Sequence, residues 1–114
     1  MSLNWTDEIG VGCTVLDTEG VIVYMNNKAC KTFEKDGGRA LLGKNALECH
    51  PEPARTKLAG MLKTPYTNAY TIEKNGVKKL IYQTPWHENG QYKGIVELSL
   101  EIPAQMPHHV RKPS

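Results

Sequence analysis

Two short apolar runs, residues 11–16 and 21–25, flank the polar break Asp17-Thr18-Glu19-Gly20. Both are rich in β-branched residues, which are stiff at χ1 and pack well on a pleated surface, so they predict two strands. Asp17 can bond forward to its own backbone and Gly20 accepts positive φ, so the break predicts a tight turn. Asn26 or Asn27 then offers an N-cap to a short helix carrying Ala29, Cys30 and Phe33 at helical spacing. Beyond it, residues 34–39 are polar and include Gly37-Gly38, a loop signal. Ala40-Leu41-Leu42 reads as one helical turn with Gly43 as its left-handed stop, and Ala46-Leu47 as another. Residues 35–49 thus predict broken helical pieces.

Pro51-Glu52-Pro53 suits a first helical turn, where a missing N–H costs nothing and a carboxylate meets the positive end of the dipole. Ala54, Leu58, Met61 and Leu62 form one apolar stripe opposite Arg55, Lys57 and Lys63, and Thr64-Pro65 ends that helix. The last third alternates. Tyr66, Asn68, Tyr70 and Ile72 share one parity, and Asn75-Gly76 predicts a type I′ hairpin turn. Residues 77–86 form the return strand. Asn89-Gly90 turns into residues 94–102, where Val96, Leu98, Leu100 and Ile102 share a face. The order β-β-α-α-α-α-β-β-β predicts an α+β fold: a five-stranded antiparallel sheet covered on one face by short helices, with a cavity between them. Residues 1–9 read as a flanking segment with Trp5 as a flap, 10–102 as the domain, and 103–114 as a Pro-rich polar tail.

Composition narrows the function classes. At 114 residues, with 39% apolar and 23% charged positions, the chain fits one globular domain. Its net charge of +2 is spread along the chain, without the basic stripe of a nucleic-acid binder. No apolar run reaches membrane-spanning length, and no charged-then-apolar leader opens the sequence. Three cysteines, Cys13, Cys30 and Cys49, lack CxxC spacing, so neither a disulfide framework nor a zinc knuckle is expected and a cytoplasmic setting fits. P-loop, HExxH and GxSxG motifs and paired carboxylates at helical spacing are missing, so no enzyme is expected.

The stretch D-T-E-G-V-I-V-Y-M-N-N-K-A-C, followed by Leu42-Gly43-Lys44 and the terminal strand 94–102, resembles the PAS domain (sensory box) family over roughly residues 8–102. Cys49-His50-Pro51 is similar to a C-H-P subgroup of that family. The resemblance implies a non-catalytic signal-transduction module. Such modules bind a small ligand between sheet and helices, or pair with another copy as a homodimer. They pass the change to a histidine kinase of a two-component system, a cyclase or a transcription regulator. Kinase-linked members usually end in Asp-[Ile/Val]-Thr and continue into a helix. Glu101-Ile102-Pro103 stands there instead, and Pro103, Pro107 and Pro113 oppose an immediate helix. The effector is therefore expected on the N-terminal side, or the module signals by association.

For the cavity, the candidate ligand-binding residues are Met25, Ala29, Phe33, Leu47, His50, Leu58 and Met61 on the helical side. Tyr70, Tyr82 and Leu98 are the candidates on the sheet side, where alternation alone leaves the inward parity open. Flavin photochemistry is not expected, because Gly43-Lys44-Asn45 is followed by Ala46 rather than the reactive cysteine of blue-light members. Haem is an alternative, with His50 as ligand: a position just before a helix N-terminus would favour neutral imidazole. Cys49 at the same helix start is expected as a buried small hydrophobe, with a redox thiol as its alternative. The third reading is an interaction module with a filled core and no cofactor.

Overall fold

The computed structural model describes residues 3–114 and contains one antiparallel sheet of five strands. These are β1 (Gly12–Leu16), β2 (Ile22–Met25), β3 (Asn68–Lys74), β4 (Val77–Glu88) and β5 (Gln91–Ile102). Between β2 and β3 lie α1 (Asn27–Thr32), α2 (Ala46–Cys49), α3 (Ala54–Lys63) and two 3-10 turns, Glu34–Asp36 and Gly38–Leu41. Across the sheet the order is β2-β1-β5-β4-β3. The first strand therefore pairs with the last, Gly12 opposite Ser99 and Leu16 opposite Ile95. This is the α+β sheet and helical cover that the hydrophobic pattern predicts.

Each turn forms for a local reason. Asp17 Oδ1 accepts from the Glu19 and Val21 amides at 2.9 Å, and Gly20 sits at φ 90°, so the first hairpin closes on the Asp-x-x-Gly signal. Both Asn-Gly hairpins have positive φ at each central residue, as type I′ geometry needs: Asn75 at 53° with Gly76 at 76°, and Asn89 at 53° with Gly90 at 80°. Glu52 accepts from the Thr56 amide at 2.8 Å, and its other oxygen from the Thr56 hydroxyl at 2.7 Å, which places a carboxylate at the start of α3. These bonds hold the Glu52 carboxyl below its usual range.

The N-cap of α1 is Asn26, whose Oδ1 accepts from Ala29 N at 2.9 Å and from Cys13 N at 3.0 Å. Its Nδ2 donates to the Thr6 and Val11 carbonyls, both at 2.8 Å. One buried amide thus joins the N-terminal segment, β1 and α1. Tyr24 adds hydroxyl bonds to Thr6 and Asp7. The segment before β1 is held through the backbone and side chains of Thr6 and Asp7, while Trp5 itself stays 66% exposed. The free edge of β2 is covered by residues 43–46: Gly43 N donates to Ile22 O, Ile22 N to Lys44 O, and Ala46 N to Gly20 O. The core gathers Leu16, Ile22, Met25, Ala29, Leu41, Leu58, Met61 and Ile95 between sheet and helices. Burial of each large member contributes about 1.5–3 kcal/mol. Ala54, expected on the buried stripe of α3, is exposed; the stripe is Leu58, Met61 and Leu62.

Candidate ligand-binding cavity

Strand alternation puts one row of side chains across all five strands on the helical side. It runs Met25, Thr14, Glu97, Gln83, Asn68. Above this row the helices stand off the sheet and enclose a cavity of about 370 Å³. Its sheet wall is Thr14, Leu16, Ile22, Met25, Gln83, Ile95 and Glu97, so Met25, expected on the helical side, stands on β2 instead; the opposite wall includes Phe33, Leu41, Cys49, His50 and Leu58. The volume is that of a small-molecule site, and the lining has the usual mix of apolar walls and a few polar groups.

The polar groups are organised. Gln83 Nε2 donates to Glu97 Oε1 at 2.7 Å, and Asn68 Nδ2 donates to Gln83 Oε1 at 2.9 Å. A carboxylate only accepts, so Glu97 sets the orientation of both amides. His50 Nδ1 lies 2.6 Å from Ala46 O. A carbonyl oxygen only accepts, so Nδ1 carries a proton, and the neutral tautomer compatible with this bond has its lone pair on Nε2. A second groove runs on from the cavity under α3 to the β3 edge, sharing His50, Leu58 and Gln83 with it and adding Lys57, Met61 and Tyr70. Burial, and then the negative charge of Glu97, hold the Tyr70 phenol above its ordinary range.

Of the residues singled out in the sequence, Met25, Phe33, His50 and Leu58 line the cavity. Met61 and Tyr70 line the groove, Ala29 is buried in the core, and Leu47 packs against that core. Tyr82 and Leu98 face each other across β4 and β5 on the opposite side of the sheet, because their neighbours Gln83 and Glu97 point into the cavity. His50 does not precede a helix N-terminus. It caps the C-terminal end of α2 in extended conformation, and α3 begins only at Ala54, so the dipole argument for its tautomer fails and the Ala46 carbonyl takes its place. Cys49 is exposed rather than buried, whereas Cys13 is buried and Cys30 half-buried, with burial pushing the Cys13 thiol up. Thr14, Gln83 and Glu97 were not singled out in the sequence. The available signal was a carboxylate at Glu97 between Val96 and Leu98, in the middle of a strand.

Among the described residues no cluster of three or more His, Cys, Asp or Glu side chains is placed to hold a metal ion, and no helix is long and apolar enough to cross a membrane. An antiparallel sheet with a helical cover over a small, partly polar cavity defines an α+β domain of sensory-box architecture. The sequence profile of the PAS fold matches residues 6–105, and the chain belongs to that family. No curated protein matches the chain. Solved structures of similar fold include the Aer2 receptor of Vibrio cholerae, a dual PAS-heme oxygen sensor, with TM-score 0.60, 19% identity and coverage of 82% of this chain and 95% of that one. The PAS domain of Bordetella pertussis BvgS has TM-score 0.64, 21% identity and coverage of 87% and 82%. The VqmA dimer of Vibrio cholerae has TM-score 0.67 and 14% identity, with 91% of this chain matching 54% of that longer one.

Proposed function

We propose that this PAS domain is a non-catalytic sensor that binds a small organic molecule in the cavity between sheet and helices and relays occupancy to a signalling effector. The observation that carries the reading is the 370 Å³ space over the row from Thr14 to Asn68. Met25, Phe33, His50 and Leu58 contact the ligand, with Met61 and Tyr70 along the adjoining groove. The effector is a histidine kinase, a cyclase or a transcription regulator; proteins of similar fold include a sensor histidine kinase and the DNA-binding VqmA. A homodimer forms through the outer sheet face, where Val96, Leu98 and Leu100 of β5 run beside Leu80 and Tyr82 of β4. Three unpaired cysteines suit a reducing, cytoplasmic compartment.

A thermal-shift screen of small molecules tests the ligand reading. A ligand at a hundred times its Kd adds about 2.7 kcal/mol, enough to raise Tm by roughly 10 °C in a domain of this size. The shift is expected to vanish in a folded Leu58→Trp variant whose indole fills the cavity. A screen without any hit, with native mass spectra showing only the bare chain, contradicts it.

A second reading is a haem-based sensor. It is favoured by the His50 ring, whose Nδ1 bond to Ala46 O leaves Nε2 free to coordinate iron. Haem addition then gives a Soret band that His50→Ala shifts, and a spectrum indifferent to that substitution removes the reading.

A further inference from the structure

We infer that the cavity selects a small organic cation, an arylalkylamine or amidine with an apolar body, over carboxylates and phosphates. The inference rests on the cavity being a ligand site and names the class of ligand.

Its first support is the direction of the hydrogen bonds. Glu97 Oε1 takes the Gln83 amide, whose own oxygen is already used by Asn68. Among the described residues no buried side-chain nitrogen or oxygen lacks a partner. Oε2 has no partner among the described residues, so it is not fully buried, and Glu97 lines the cavity. His50 adds a second acceptor in its neutral form: with Nδ1 committed to Ala46 O, that tautomer offers only its Nε2 lone pair. Asp36 places another carboxylate at the exposed rim.

Charge is the second support. No lysine or arginine lines the cavity; Lys57 lies in the adjoining groove, and its position on α3 is exposed. An anionic ligand would meet two carboxylates and no fixed cation, whereas an ammonium or amidinium donates to Glu97 with a charge-assisted bond. Leu16, Ile22, Phe33 and Leu58 then pack against an aromatic body.

Calorimetric titration of the full chain tests this with probes matched in shape: tryptamine, tryptophol and indole-3-acetate, then benzamidine against benzoate. Tryptamine is expected to bind at least ten-fold tighter than indole-3-acetate, and benzamidine at least ten-fold tighter than benzoate. Glu97→Gln is expected to bring tryptamine down to the affinity of tryptophol. The wild-type series stands even where that variant folds poorly. Equal or tighter binding of the hydroxyl or carboxylate probes overturns the cation preference and leaves the ligand site intact. Binding by none of the five overturns both.

Discussion

Asn26 is 1% exposed and makes two hydrogen bonds through Oδ1 and two through Nδ2, each to backbone of a different segment or turn. Removing the amide strands two N–H donors and two carbonyls. Asn26→Ala is therefore expected to cost about 2–4 kcal/mol in urea unfolding, more than a helix cap alone. Asn26→Asp cannot rescue it, since a carboxylate oxygen would face the Thr6 and Val11 carbonyls; an Asn26→Asp variant as stable as wild type would contradict this account of the junction. The cysteines divide in the same way. Cys49 is exposed, while Cys13 is buried with its thiol pushed up by desolvation. In the native protein, maleimide labelling is expected to be at least ~10-fold faster at Cys49 than at Cys13, and comparable rates would mean that β1 is open.

At the scale of elements, β5 is the strand that ties the two halves of the sheet together, and Gly94 is its tight point. There φ is 140°, and a Cβ would overlap the Leu16 carbonyl and the Asp17 backbone, while Trp86 opposite sends its indole N–H to Leu16 O at 3.0 Å. Gly94→Ala is expected to cost about 3 kcal/mol or more by prising β1 from β5. Gly76→Ala, also at positive φ but in open space, is expected to cost only about 1–2 kcal/mol. Similar losses at both sites would remove the close-approach argument. The turns, the strand order along the chain and the broken helical stretch were legible because each rests on local chemistry: Asp17 and Gly20, the two Asn-Gly pairs, the Leu58 and Met61 spacing. The inward face of the sheet was not. Val96, Leu98 and Leu100 form the more apolar parity of β5, yet they lie on the outer face, because the inward parity carries Ile95 and Glu97 toward a cavity instead of a solid core. Local alternation fixes which residues share a face, and only the packing of distant helices decides which face is covered. His50 was misplaced for a related reason: α2 and α3 are separated by a non-helical stretch that the run Cys49-His50-Pro51 does not announce.

For the molecule as a whole, α3 acts as a lid tied down at one end, where the Tyr92 hydroxyl donates to Leu62 O at 3.0 Å. Its middle lies over the space that the domain keeps open. The phenols of Tyr24, Tyr70 and Tyr92 are all held above the ordinary tyrosine value of 10.0, with burial the largest cause in each. Between the unfolded and folded pKa values the folded state binds more protons, so the stability these groups contribute is retained below about pH 10 and falls as pH rises beyond it. Urea midpoints measured from about pH 8 to about pH 11 are expected to stay level with respect to these groups and then drop, with a smaller drop in Tyr92→Phe. The most direct test of the central claim, a ligand-holding space on the helical side of the sheet, is methyl NMR of the labelled chain titrated with tryptamine. Methyl signals of Leu16, Met25, Leu58 and Ile95 are expected to shift together while those of Val96, Leu98 and Leu100 stay in place. Shifts confined to the outer-face methyls, or none anywhere at saturating probe, would contradict it.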